Sequence, residues 1–120
     1  MNRRRLGVAG EDAVARRYIE AGYAVLDRNW RCREGELDLV LATGDTLVFC
    51  EVKTRRSTAF GAPFEAVTVT KQRRLRTLAL RWLADHPEHR ARALRFDVAS
   101  VLAAPATATG PAIEVIEHAF

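Results

Sequence analysis

Gly35-Glu36-Leu37-Asp38-Leu39-Val40-Leu41-Ala42-Thr43-Gly44-Asp45-Thr46-Leu47-Val48-Phe49-Cys50-Glu51-Val52-Lys53 contains two apolar runs of strand length separated by Gly44-Asp45. A Gly-first pair is a favoured two-residue hairpin turn. With that turn Thr43 pairs with Thr46, and counting outward sets Asp38 opposite Glu51 and Glu36 opposite Lys53. Side chains alternate with period two, so all four charged groups are expected on one face of the sheet. Opposed carboxylates repel, and ionised groups in an apolar layer are costly unless compensated. Something positive is therefore expected between them.

A hard divalent cation meets that need. Mg²⁺ accepts one or two carboxylates, keeps several waters and takes phosphate oxygens as further ligands, whereas a closed zinc site wants Cys or His. The alternative is a Glu36/Lys53 ion pair beside a protonated or lysine-compensated carboxylate. Both readings depend on register, because a three-residue loop would destroy the opposition.

The run from Gly35 to Val40, followed by Phe49-Cys50-Glu51-Val52-Lys53-Thr54-Arg55, resembles the PD-(D/E)XK restriction-endonuclease-like superfamily. Asp38 matches its first acid and Glu51-Val52-Lys53 its E-x-K. Gly10-Glu11, Arg28-Asn29-Trp30-Arg31, Lys71-Gln72-Arg73-Arg74-Leu75, Arg95-Phe96-Asp97-Val98 and Ala119-Phe120 are similar to the small bacterial YraN-type family, itself likened to nucleases and Holliday-junction resolvases. That likeness runs nearly end to end. It departs at Leu37, where isoleucine is common, and at Cys50, where valine or another small apolar residue is usual.

The resemblance implies metal-dependent hydrolysis of phosphodiester bonds in structured or single-stranded DNA, during repair or recombination. Asp38, Glu51 and Lys53 would be catalytic. Mg²⁺ or Mn²⁺ would be held by Asp38, Glu51, the Val52 carbonyl and Glu11, with Glu36 supporting Lys53. Lys53 would orient or deprotonate a water, or neutralise charge developing on phosphorus. A homodimer is compatible with this reading, since two scissions at a junction want two sites.

The rest of the chain reads as a single domain over residues 1–120, of α/β class, with a mixed sheet of about five strands between helices in a three-layer, restriction-endonuclease-like core. Leu6 to Ala21 reads as a helix with the stripe Ala9, Ala13, Val14, Tyr18 and Ala21, stopped by Gly22. Glu11 falls on that stripe, either as a first-turn acid favoured by the helix dipole or as a site residue. Tyr23 to Trp30 is a first strand. Leu37, Leu39 and Leu41 fall on one face of the next strand, with Val40, Ala42 and the acids on the other. Such two-sided strands are covered by helices on both faces.

Thr54 to Phe64 reads as loop, and Ala66 to Val69 as a short extended piece. Thr70 caps a helix to about Ala84 whose stripe is Leu75, Leu78, Ala79, Trp82 and Leu83. Pro87 ends it. Leu94 to Leu102 is a fourth strand, Ala103 to Pro111 a loop, and Ile113 to His118 an edge strand.

The 19 basic against 15 acidic residues are unevenly placed. Lys71 to Arg95 is strongly basic, and Arg3 to Arg5 and Arg55-Arg56 add further clusters. Cations grouped around an isolated acidic site suit a polyanion. Arg55, Arg56, Lys71, Gln72 and Arg74 are the expected nucleic-acid contacts, with Lys71 and Gln72 at a helix N-terminus that favours phosphate. A solvated basic helix face is the plainer account.

Cys32 and Cys50 lack metal-ligand spacing and fit a reducing cytoplasm. Glu11 and Asp12 interrupt any signal-like apolar run after the basic start, and no uncharged run reaches membrane-spanning length. Cytoplasmic location without membrane contact is therefore expected. His86 and His89 flank Pro87 and read as a surface turn, and Trp30 and Trp82 as core. A nucleic-acid-binding module without cleavage, a metal-dependent hydrolase of small phosphoesters and a partner-binding protein remain as rival functions.

Overall fold

The computed structural model describes residues 3–56, 67–90, 92–103 and 111–120. Its elements are α1 (Arg3–Glu20), β1 (Ala24–Cys32), β2 (Gly35–Thr43), β3 (Thr46–Arg55), α2 (Val69–Asp85), a 3-10 turn (Pro87–His89), β4 (Ala93–Leu102) and β5 (Ala112–Ile116). The strands form one sheet in the order β1-β2-β3-β4-β5. Among the described strands only β3 and β4 run parallel. The segment joining them contains α2, because parallel neighbours need a crossover rather than a tight turn.

The two faces of the sheet are covered by different helices. Val14, Ala15 and Tyr18 of α1 pack with Leu39, Leu41, Val48, Cys50, Ala99 and Val101. Leu75, Leu78, Ala79 and Trp82 of α2 pack with Leu37, Val40, Ala42, Leu47, Phe49 and Phe96. Apolar residues on both faces of β2 and β3 thus produce three layers.

The β2–β3 hairpin closes at Thr43–Thr46, and Gly44 takes the positive φ of 53° that its turn position requires. The ladder keeps the expected register as far as Leu39–Cys50 and stops there. Leu37 packs against α2 while Leu39 packs against α1. Residues two apart on a regular strand share a face, so the pleat slips at Asp38. The β1–β2 register is the same on either side, at Arg28–Leu39 and Trp30–Leu37, its shift lying earlier, between Val25 and Asp27, and Asn29, between those two pairs, has φ 52°. Asparagine is among the few side-chain-bearing residues that tolerate this conformation. Two expectations are corrected here: Leu37 leaves the face of Leu39 and Leu41, and the ladder ends before Asp38 could face Glu51 or Glu36 face Lys53.

Element boundaries shift modestly. α1 starts at Arg3, and Gly22 (φ 95°) lies in the turn after it. β1 extends past Trp30 to Cys32, and Thr54 and Arg55 finish β3 instead of opening a loop. The α2 cap is Thr68, whose Oγ1 accepts from the Lys71 N–H at 3.2 Å, so Thr70 lies inside the helix. Val69 begins α2 rather than ending a short extended piece. The remainder of the expected 54–64 and 103–111 loops lies mostly outside the described residues. β5 is an edge strand that ends at Ile116, and His118 turns with φ 51°.

One buried polar cluster fastens the α1 face. Asp97 on β4, 1% exposed, accepts from Arg95 Nε and Nη2 at 2.9 Å each, from Tyr18 Oη at 2.7 Å and from His118 N at 3.3 Å. Arg95 Nη2 also donates to Tyr23 Oη at 2.9 Å. The carboxylate beside it holds the Arg95 guanidinium more firmly protonated than usual. Burial raises the Tyr18 hydroxyl pKa.

Candidate active site

The slip at Asp38 opens a gap between β2 and β3, and the acids converge on it from both sides of the sheet. Continuing the alternation of Leu47 and Phe49, Glu51 and Lys53 project toward α2. Leu37 points to α2, so Glu36 next to it points to the α1 side. Asp38 bridges the gap itself, its Oδ2 accepting the Val52 N–H at 2.8 Å. The expectation that all four charged groups share one face is therefore corrected.

Asp38 stands in a strongly negative, dry setting. Burial, then the neighbouring Glu51 carboxylate, then Glu11 and Glu36, push its pKa up to about 7 against the opposing Val52 N–H bond. Glu51 is held by two ammonium groups, with Lys53 Nζ and Lys71 Nζ each 3.4 Å from Oε1. Burial, then contact with Lys53, lowers the Lys71 pKa.

Glu11 reaches the site because Gly10 precedes it. A Cβ built on Gly10 would collide with Thr54 Oγ1, so only glycine allows α1 this close to β3. Burial raises the Glu11 pKa, against a hydrogen bond from Asn29. Asn29 thus turns its backbone at the slip and its side chain to Glu11. The sequence signal for it is an asparagine inside a strand, where that residue is depleted.

Glu36 does not support Lys53. Its carboxylate pairs with Nε of Arg31, its ladder partner on β1, at 3.4 Å. The slip has turned it away, and Lys53 takes Glu51 instead. Gln72 also differs from expectation: its Nε2 donates to the Val67 carbonyl at 3.3 Å, bracing the entry to α2. Lys71 sits at the acids, and the exposed Arg74 lies one turn on, beside Gly35. Arg55 ends β3 and Arg56 follows it. Arg56 and Arg16 border a cavity of about 620 Å³ between α1 and the far ends of β3 and β4, whose lining includes no acid among the described residues.

Among the described residues no three His, Cys, Asp or Glu side chains stand close enough to hold a metal ion as placed. The donor chemistry nonetheless fits a hard cation: carboxylates of Asp38 and Glu51, Glu11 near them, and backbone oxygen. The Asp38 pKa is raised first by burial and then by the Glu51, Glu11 and Glu36 carboxylates, whose shared negative charge a dication would offset. The neighbouring Cys50 thiol is buried and its pKa raised, which disfavours a thiolate ligand. Sequence reasoning missed the Arg95–Asp97–Tyr18 cluster, whose one visible signal is two opposite charges inside an otherwise apolar strand.

A family model described as Uncharacterised protein family UPF0102 matches residues 10–101. The chain belongs to UPF0102. A UPF0102 protein of Frankia casuarinae is 53% identical over 116 residues, covering 96% of this chain and 95% of that protein. One of Rhodococcus jostii is 51% identical over 115 residues, with 96% and 95% covered. One of Beutenbergia cavernae is 60% identical over 98 residues, with 81% of each covered. The span matched to UPF0102 takes in Glu11, Asp38, Glu51, Lys53 and Lys71 and stops before β5. Among the described residues of this UPF0102 protein no helix is long and apolar enough to cross a membrane.

Proposed function

We propose that this UPF0102 protein is a Mg²⁺- or Mn²⁺-dependent nuclease of the PD-(D/E)XK kind, hydrolysing phosphodiester bonds of structured or single-stranded DNA. The observation that carries this reading is the convergence of Asp38 of β2, Glu51 and Lys53 of β3 and Glu11 of α1 on one gap in the sheet. Asp38 and Glu51 would hold the cation, with the Val52 carbonyl and Glu11 as further oxygen donors. When bound there, such a dication would offset charge on the scissile phosphate and make a water more acidic. Lys53, an ammonium group beside Glu51, would orient the water or offset charge developing on phosphorus. Lys71, Arg74, Arg55 and Arg56 hold backbone phosphates, which fixes position without reading bases.

The two lysines already neutralising Glu51 favour a second reading, a nucleic-acid-binding module without cleavage. One assay separates the two. Labelled single-stranded, duplex, flap and four-way DNA are incubated with Mg²⁺ or Mn²⁺ and the protein, beside Asp38→Ala and Glu51→Ala. Cleavage lost by about a hundredfold or more in both variants is expected. Cleavage surviving both would reveal a contaminant, and binding without cleavage in the unmodified protein would establish the module.

A further inference from the structure

Lys53 and Lys71 converge on a single atom, Oε1 of Glu51, at 3.4 Å each. Lys53 belongs to the same strand two residues on, whereas Lys71 comes from the first turn of α2. The side chains are 24%, 27% and 12% exposed for Lys53, Lys71 and Glu51, so solvent screens these contacts only partly. An anionic oxygen between two ammonium groups occupies the surroundings that a phosphoryl oxygen seeks. On this side of the gap one carboxylate faces two cations, which leaves room in the charge balance for an incoming oxyanion.

Building on the nuclease reading, we propose that Glu51 and a phosphoryl oxygen exchange places between Lys53 and Lys71. Without phosphate, Lys71 competes with a divalent cation for Glu51. When Glu51 turns to the cation, the two ammonium groups become the seat of a phosphoryl oxygen. Cation and phosphate binding are then positively coupled through one carboxylate, and the coupling is reciprocal. Lys71 is the residue that creates it, because Lys53 alone could stay with either partner.

The test is Mn²⁺ binding, followed by the electron paramagnetic resonance of the free ion, with and without inorganic phosphate. In the unmodified protein phosphate is expected to tighten Mn²⁺ binding by about fivefold or more. Lys71→Met is expected to bind Mn²⁺ alone several-fold more tightly and to lose the phosphate effect, while Lys71→Arg keeps both behaviours. Arg73→Met, which removes the same charge from the exposed side of that turn, should match the unmodified protein. Lys71→Gln repeats the test should methionine disturb the entry to α2, as thermal unfolding would reveal. Mn²⁺ binding that depends on Glu51 but is indifferent to Lys71, with the phosphate effect intact, would overturn the exchange and leave the metal site standing. No Mn²⁺ binding, or binding unaltered in Glu51→Gln, would overturn both.

Discussion

Asp38 Oδ2 accepts the Val52 N–H at 2.8 Å across the gap where β2 leaves β3. A side chain thereby takes over a backbone donor that the ladder has abandoned, and the carboxyl is fixed beside Glu51 where its charge is disfavoured. The site therefore stores electrostatic strain.

That strain has a pH signature. Burial, then the neighbouring carboxylates, push the Asp38 pKa from the ordinary 3.8 up to about 7, so the folded state binds the proton more tightly. Stability is full below the lower value and is lost as pH rises toward the upper one. Asp38→Asn can still accept from Val52 and carries no charge. It is expected to match the unmodified protein below pH 4 and to exceed it by about 2–4 kcal/mol above pH 7. Urea unfolding at both ends of the range checks this, and a pH-independent difference would remove the strain.

The close approach of α1 yields a second expectation. Gly10→Ala gains helix propensity of up to about 1 kcal/mol but forces a Cβ into Thr54 Oγ1. Overpacking of this kind costs about 1–3 kcal/mol, so the variant should unfold at lower urea concentration. Because Glu11 must move with the helix, any metal-dependent cleavage should fall as well. Gly10→Ala with Thr54→Ala should recover much of the stability, and a single variant as stable as the parent would mean that α1 has room.

The buried cluster on β4 supplies a third. Asp97→Ala takes the near carboxylate from the Arg95 guanidinium, whose side chain is 9% exposed, and leaves it the exposed Glu117 carboxylate at 3.8 Å. Breaking a buried pair this way costs about 3–5 kcal/mol. Tyr18→Phe removes one hydroxyl donor and should cost about 1 kcal/mol plus the unmet acceptor. Equal losses from the two, measured by urea unfolding, would mean that Asp97 is not the hub.

What the chain reveals about itself divides along physical lines. The Gly44-Asp45 turn and the register up to Leu39–Cys50 are legible because turn chemistry and strand alternation are local. The α2 stripe is legible because Leu75, Leu78, Ala79 and Trp82 repeat at helical spacing, and all four are buried. The slip at Asp38 is hidden, since neither local turn chemistry nor strand alternation signals it, and the positive φ of Asn29 lies across from it on the neighbouring strand. Thr68 and Thr70 compete for the same cap on equal local terms, and only the contact with Lys71 N decides. Asp97 is hidden because its partner Tyr18 lies 79 positions away in the sequence. The acids themselves were legible as a group, but not the way they meet from both sides of the sheet.

Glu36 and Lys53 provide the sharpest functional contrast. A regular ladder would make them partners, so neutralising either would disturb the other. Here Glu36 belongs to Arg31 and Lys53 to Glu51. Glu36→Gln is therefore expected to change cleavage of labelled DNA by less than about threefold, the scale of a surface pair worth under 1 kcal/mol. Lys53→Met should lower it by about a hundredfold or more if Lys53 works on the water or the phosphate. The two rates, measured under saturating Mg²⁺, decide the point: comparable losses would restore the regular ladder and the supporting role of Glu36, while a loss confined to Lys53→Met requires the slipped strand.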